Sequence, residues 1–274
     1  MRSRDMSRWL LMGMLAASTV AGCSREPATP EAKRAKAEAL LKTMSGSLAA
    51  AKAIEVDTVE VSDRLRTGGA KAETQSARHI AVRRPDGAYF KQTGEAVDSE
   101  VWYDGKQITL AMHKDKAWAR GPMPATLDEA LDAMATEYAI FVVAADLFYS
   151  NPYDSFEASA STGGWTGTEV IDGTTCEHLA FEAKLVNWDI WVADTPQALP
   201  CRMKVTYKQE AGSPTSMLTF RNWNLAPALA ADAFTAKVDP TYERLYLMRA
   251  PTAEPVETTA DAGAAAPTPT TSPK

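Results

Sequence analysis

The chain has 274 residues, with 29 Lys and Arg against 35 Asp and Glu, a formal net charge of −6, and 45% hydrophobic residues. That acidity excludes the clustered basic surface that phosphate neutralisation needs, so nucleic acid is not an expected partner. The length suits one large domain or two small ones.

Residues 1–22 have the form of an export signal. Arg2, Arg4 and Arg8 precede an apolar run from Trp9 to Ala21, which is shorter than the roughly 20 residues a comfortable membrane span needs. The run ends in Val20-Ala21-Gly22-Cys23, which resembles the lipobox of bacterial lipoproteins. The resemblance implies lipidation of the Cys23 thiol, cleavage before it and acylation of the new N-terminus. A thiol is the side chain best suited to such alkylation, and more than one acyl chain makes a stable anchor. Ser24 rather than Asp follows, which by resemblance to Gram-negative sorting implies the periplasmic face of the outer membrane. Loss of Arg2, Arg4, Arg8 and Asp5 with the signal takes the charge from −6 to −8.

Residues 23–30 read as the lipidated cysteine and a tether. Thr29 then offers a cap and Pro30 a first helical position. Ala37, Leu40, Leu41, Met44, Leu48 and Ala51 recur at helical spacing, with Gly46 as a weak point. The basic residues of this helix suit either anionic headgroups or a solvated face. From Ile54 to Pro122 the period changes to two, and the segments read as successive strands. Asp104-Gly105 predicts a type I′ hairpin turn.

"ATLDEALDAMATEYAIFVVAADLFYSNP" reads as one central helix. Thr126 and Glu129 supply a capping box, Leu127, Leu131, Met134, Tyr138, Phe141, Val142, Ala145 and Phe148 share a face, and Asn151-Pro152 ends it. Gly163, Gly164 and Gly167 read as turn residues. Five further strands follow, the first two separated by Asp172-Gly173, and "FTAKVDP" closes a domain expected over 31–249. Residues 250–274 are Pro, Thr, Ala and acidic without periodicity, an expected disordered tail. Hairpins dominate, so the fold class is α+β: a single strongly curved antiparallel sheet of about 10–11 strands, with helices on its concave face.

The order helix, strands, central helix, strands resembles the LolA/LolB lipoprotein-carrier-like superfamily. "VRRPDGAYF", "WYDGKQITL", "DEALD", "ADLFYSNPY", "VIDGTTCEHLAF", "NWDIWV", "MKVTYK" and "NWNL" resemble an uncharacterised family of predicted periplasmic proteins within it, over roughly Glu31 to Leu245. The resemblance implies an open half-barrel whose cleft holds acyl chains under a helical lid. It implies no assigned residue roles.

His79, His113 and His178 fall on three separate strands without ligand spacing, so no metal is expected. Cys176, His178 and Glu182 share one strand face but are strung along it, a poor arrangement for a nucleophile and its base. No nucleophile elbow or phosphate loop is present. No enzyme and no cofactor are expected. Cys176 and Cys201 form an even pair suited to an oxidising compartment. In a plain meander they would be second neighbours, about 9–10 Å apart, too far for a disulfide unless a bulge or register offset brings them closer.

Strand-borne aromatics are numerous. Phe90, Tyr103, Leu110, Met112, Trp118, Phe141, Phe148 and Phe220 are the candidate lining of a hydrophobic cleft, with core packing as the alternative for each. The resulting expectation is a non-enzymatic, membrane-tethered binder of a lipid or other hydrophobic molecule. The alternative is an envelope protein-interaction or sensor module without small-molecule cargo.

Overall fold

The structure, a computed structural model, describes residues 27, 29–65, 70–138, 140, 142–159 and 162–249. The signal sequence with Cys23, the 250–274 tail and Phe141 lie outside the described residues.

Helix α1 (Pro30–Ala50) starts where the sequence places it. Thr29 Oγ1 accepts from the Ala32 N–H at 3.2 Å, and Pro30 opens the first turn. Its apolar stripe, Ala37, Leu41, Met44 and Leu48, is buried. Strands β1 (Ala53–Leu65), β2 (Lys71–Arg83), β3 (Gly87–Gly94), β4 (Asp98–Tyr103), β5 (Gln107–Met112) and β6 (Ala117–Pro122) form one antiparallel meander. Strands β7 (Thr162–Ile171), β8 (Thr174–Glu182), β9 (Val186–Ala193), β10 (Pro200–Tyr207) and β11 (Thr215–Asn224) form a second. The two join where β1 pairs with β11.

A further strand, β12 (Glu243–Tyr246), pairs parallel with β6, giving one 12-stranded sheet in the order β12-β6-β5-β4-β3-β2-β1-β11-β10-β9-β8-β7. This is one strand more than expected and, among the described residues, the only parallel pair. The closing segment "FTAKVDP" is not a strand. Its Phe234 is buried against Gly87, where a Cβ would come within 2.6 Å of the ring. The edge strands β7 and β12 do not pair with each other, so the sheet stays open.

This order dictates two crossings. The chain leaves the sheet at β6, next to one edge, and re-enters at β7, the opposite edge. Ten strand spacings separate them in the order, about 48 Å on a flat sheet. The intervening helical segment crosses the concave face. After β11 the chain returns to β6 across the other face, where residues such as Ala230 and Ala233 border His79, Tyr89 and Trp102.

The concave crossing is not one helix. It comprises α2 (Leu127–Glu137), a loop, a 3₁₀ turn (Ala145–Phe148) and α3 (Pro152–Ser159). Thr126 caps α2, accepting from the Glu129 N–H at 3.3 Å. Helix α2 stops before Ile140, Val142 and Val143, whose β-branched side chains lose rotamer freedom in a helix. Ala144 then turns the chain with φ 63°. Pro152 opens α3 instead of ending the central helix, since a proline at N1 gives up no helical hydrogen bond.

Turn chemistry differs between the two Asp-Gly pairs. At Asp172-Gly173 both residues have positive φ, 49° and 82°, as a type I′ turn requires. At Asp104-Gly105 only Gly105 does, at 81°. There the Asp104 carboxylate accepts from the Lys106 and Gln107 N–H groups at 3.0 Å each.

Gly163, Gly164 and Gly167 lie within β7 and are not turn residues. A Cβ at Gly164 would lie 3.0 Å from the Arg34 nitrogen, so the missing side chain lets α1 rest on the sheet. Two of the helix's basic side chains lie by aromatic rings. Arg34 lies 5.5 Å from the Phe181 ring centroid and Lys42 lies 5.1 Å from that of Tyr153.

Candidate functional site

Period-two alternation puts Ile54, Val56, Ile80, Val82, Phe90, Leu179, Ile190, Met203 and Leu218 on the concave face. They form one core with α1, α2, the 3₁₀ turn and α3. In the C-terminal half this core leaves a cleft of about 240 Å³. One wall is Val142, Val143 and Ala144 of the crossing loop, with Phe156 of α3. The other is Trp188 of β9 with Met203 and Val205 of β10, and Asp146, Val186 and Tyr207 complete the lining.

The Trp188 ring is held firmly. It stacks on Phe181 at 4.2 Å and meets Phe156 at 5.3 Å. Its buried indole N–H makes no hydrogen bond, leaving a donor in the wall. Asp146 is the only ionisable carboxyl in the lining, and burial pushes its pKa up. The cleft therefore offers largely apolar walls and one carboxyl that resists ionisation. That combination suits a hydrocarbon chain with few polar atoms.

A larger groove of about 480 Å³ lies by Cys201, where Asp172, Thr174, Thr195, Gln197, Arg221 and Asn222 are mixed with apolar residues such as Leu199, Phe220 and Trp223. The smaller cleft is the better hydrophobic site, because its walls are more apolar than those of the groove and it lies under the crossing segment.

The residues expected to line a cleft do not gather around this one. Phe90 and Phe148 are buried and meet edge-on at 6.5 Å. Tyr103 is buried, and its hydroxyl donates to the Pro124 carbonyl at 2.7 Å. Leu110 and Met112 are half-buried on β5, six strands from β10 in the sheet order. Phe220 is buried on β11, its ring 5.5 Å from Trp223.

Trp118 is on the wrong face. It pairs in register with Ala111, while Ala117, Ala119 and Gly121 are the concave residues of β6. The Arg120 and Arg244 guanidinium groups each lie 5.2 Å from its ring centroid. Aromatic content selected large residues without fixing which half of the sheet the helices fill. Of this cleft's lining, Val142 was legible in the central segment's apolar face. Met203 and Val205 carried no signal beyond alternation.

Cys176 and Cys201 are bonded, with Cα atoms 6.7 Å apart. They lie on β8 and β10 with β9 between them. The β9–β10 register shifts between Pro200 and Arg202, and this bulge at Cys201 brings the second-neighbour strands within reach. The bond occupies the Cys176 thiol, so Cys176 and His178 form no nucleophile–base pair.

Each histidine has partners away from the cleft. His79 Nδ1 is 2.8 Å from Asp57, His113 Nδ1 is 3.0 Å from the Tyr242 hydroxyl, and His178 Nε2 is 2.8 Å from Asp189. Among the described residues no cluster of His, Cys, Asp or Glu is placed to hold a metal, and no helix is long and apolar enough to cross a membrane.

Residues 37–244 match the model of the family described as "Predicted periplasmic protein (DUF2092)". No curated protein sequence matches the chain. Among solved structures, the chain is similar to an uncharacterized conserved protein from Thermus thermophilus, at 7% identity and TM-score 0.46, over 77% of this chain and 98% of that one. It is similar to the Mycobacterium tuberculosis lipoprotein LppX at 15% identity and TM-score 0.39, over 74% and 97%. It is also similar to a LolA superfamily protein from Nitrosomonas europaea at 12% identity and TM-score 0.37, over 73% and 98%.

Proposed function

We propose, for a chain that belongs to the DUF2092 family of predicted periplasmic proteins, that it is a non-enzymatic lipoprotein, anchored through Cys23 to the outer membrane, that binds the apolar chain of a lipid. The observation that carries this reading is the cleft between Val142, Val143 and Phe156 on one side and Trp188, Met203 and Val205 on the other. A chain entering it removes its own surface and the cleft walls from water, at roughly 25 cal/mol per Å² of apolar area. The wall formed by residues 142–144 belongs to the crossing loop and not to the sheet, so it is the part able to move aside for entry.

A tethered binder cannot diffuse across the periplasm. It acts as an acceptor or local holder for molecules delivered at the membrane. The test is solvent extraction and mass spectrometry of the purified full chain carrying Cys23→Ser, with saturable binding of an apolar fluorescent probe. A stoichiometric lipid, or probe binding abolished by Val205→Trp, supports the reading. An empty protein that binds no probe overturns it in favour of an envelope protein-interaction module.

A further inference from the structure

Beside the apolar cleft, the concave face carries a buried polar cluster. Val205, in the cleft wall, lies directly opposite Ser216 of β11, and Ser216 lies opposite Ser62 of β1. The two serine hydroxyls are 2.8 Å apart, and each donates to Glu60 Oε1, at 2.8 Å from Ser62 and 2.9 Å from Ser216. Glu60 Oε2 pairs with the Arg78 guanidinium at 2.5 Å. On β3, Gln92 donates to Ser76 at 3.0 Å. Thr58, directly opposite Arg78 in register, is 1% exposed, and its hydroxyl makes no hydrogen bond. The strand register alone sets the cluster beside the cleft wall, with Ser216 one strand from Val205 and Ser62 one strand further.

These residues sit where the alternation of β1 and β2 would otherwise continue the apolar face of Ile54, Val56, Ile80 and Val82. A buried ion pair does not generally outperform apolar packing for stability, and an unpaired buried hydroxyl costs free energy. The cluster is net neutral, and its charges already satisfy each other. A head group that brought a net charge would meet a like charge in the pair. One that brings hydroxyls can hydrogen-bond with Thr58 and the serines without disturbing it.

We infer that the ligand is an amphiphile with an uncharged, hydroxyl-bearing head, its chain in the Trp188–Val205 cleft and its head against Thr58, Ser62 and Ser216 beside the Glu60–Arg78 pair. This rests on the cleft reading above and adds the class of head group.

The test displaces N-phenyl-1-naphthylamine from the full chain carrying Cys23→Ser. The competitors are three amphiphiles with the same oleoyl chain: monooleoylglycerol, oleate and oleoyl-lysophosphatidylcholine. The expected result is about tenfold tighter displacement by monooleoylglycerol than by the two charged heads. Thr58→Val, a near-isosteric change suited to a strand, and Ser216→Ala should each weaken monooleoylglycerol about fivefold and leave oleate unchanged. Urea midpoints of the variants show that folding is intact. Equal displacement by all three heads, or no effect of either variant, overturns the head-group assignment and leaves the cleft reading standing. Failure of every amphiphile to bind overturns both.

Discussion

The Lys36 ammonium lies 3.0 Å from each carboxylate oxygen of Glu177. The same ammonium stands 4.1 Å from the Trp165 ring centroid, and the Trp165 indole N–H donates to that carboxylate as well. Helix α1 is thereby tied to β7 and β8 at the sheet edge. Its register over the sheet depends on one acceptor serving two donors.

Glu177→Ala should therefore destabilise more than Lys36→Ala. Removing the acceptor leaves a part-buried ammonium and an indole N–H without their partner, a cost of about 1–3 kcal/mol. Removing the lysine leaves a carboxylate still bonded to Trp165, at about 1 kcal/mol or less. Urea unfolding of both variants measures the order. Equal losses would mean that the apolar stripe alone docks α1.

Reduction should weaken the fold. The Cys176–Cys201 bond closes a loop of 25 residues, for which chain-entropy reasoning gives about 3.5 kcal/mol. The urea midpoint should fall on adding dithiothreitol, and Cys201→Ser should reproduce that fall and be insensitive to the reagent. An unchanged midpoint would show that the β8–β10 packing holds the region without the bond.

Phe148→Ala should cost about 3–5 kcal/mol, because the side chain is fully buried against Phe90 and its loss leaves a sealed cavity. Val205→Trp should do the opposite, filling the cleft and abolishing probe uptake at a smaller cost in stability. Probe titration and denaturant unfolding on the same proteins separate the two. Loss of binding in a still-folded Phe148→Ala protein would place that residue at the cleft after all.

Asp146 makes stability depend on pH in a known direction. Its folded-state pKa lies above the ordinary carboxylate value because burial disfavours the charged form. Stability is unpenalised while the group is protonated in both states. It is lost as pH rises through the unfolded value up to the raised folded value. Asp146→Asn should raise the melting temperature at pH 7, and the gain should vanish near pH 3. A gain of equal size at both pH values would point to packing instead of ionisation.

Cys23→Ser should release the protein from the membrane fraction or leave it as an unprocessed precursor. Fractionation and the mass of the N-terminal peptide report the outcome. Membrane association identical to that of the unaltered chain would defeat the anchoring proposal.

Much of the fold was legible because its signals are local. Thr29-Pro30 and Thr126 mark helix starts through capping, and alternation marks strands by which side chains are buried. Resemblance then supplied the curved sheet with helices on its concave face. The single central helix was a misreading for a physical reason. Apolar residues recur at helical spacing through Phe148, but Ile140, Val142, Val143 and the left-handed Ala144 do not continue the helix, and Val142, Val143 and Ala144 make a cleft wall. The candidate lining failed in a related way. Large aromatics mark burial, and burial is what Phe90, Tyr103 and Phe148 show. A cleft depends on where packing is incomplete, and residue size does not encode that.

The sequence by itself determined the period of each element, the caps, the hairpin order and the even cysteine pair, because each depends on residues close together along the chain. Tertiary structure alone decided three further matters. The pairing of β1 with β11 sent the crossing segment over the concave face. The bulge at Cys201 brought two second-neighbour strands close enough to bond. The strand order and register of β10, β11, β1 and β2 set Val205, Ser216, Glu60 and Arg78 side by side. Each depends on register and curvature between segments 100 or more residues apart or on strands that are not sequence neighbours, and no local periodicity carries that information.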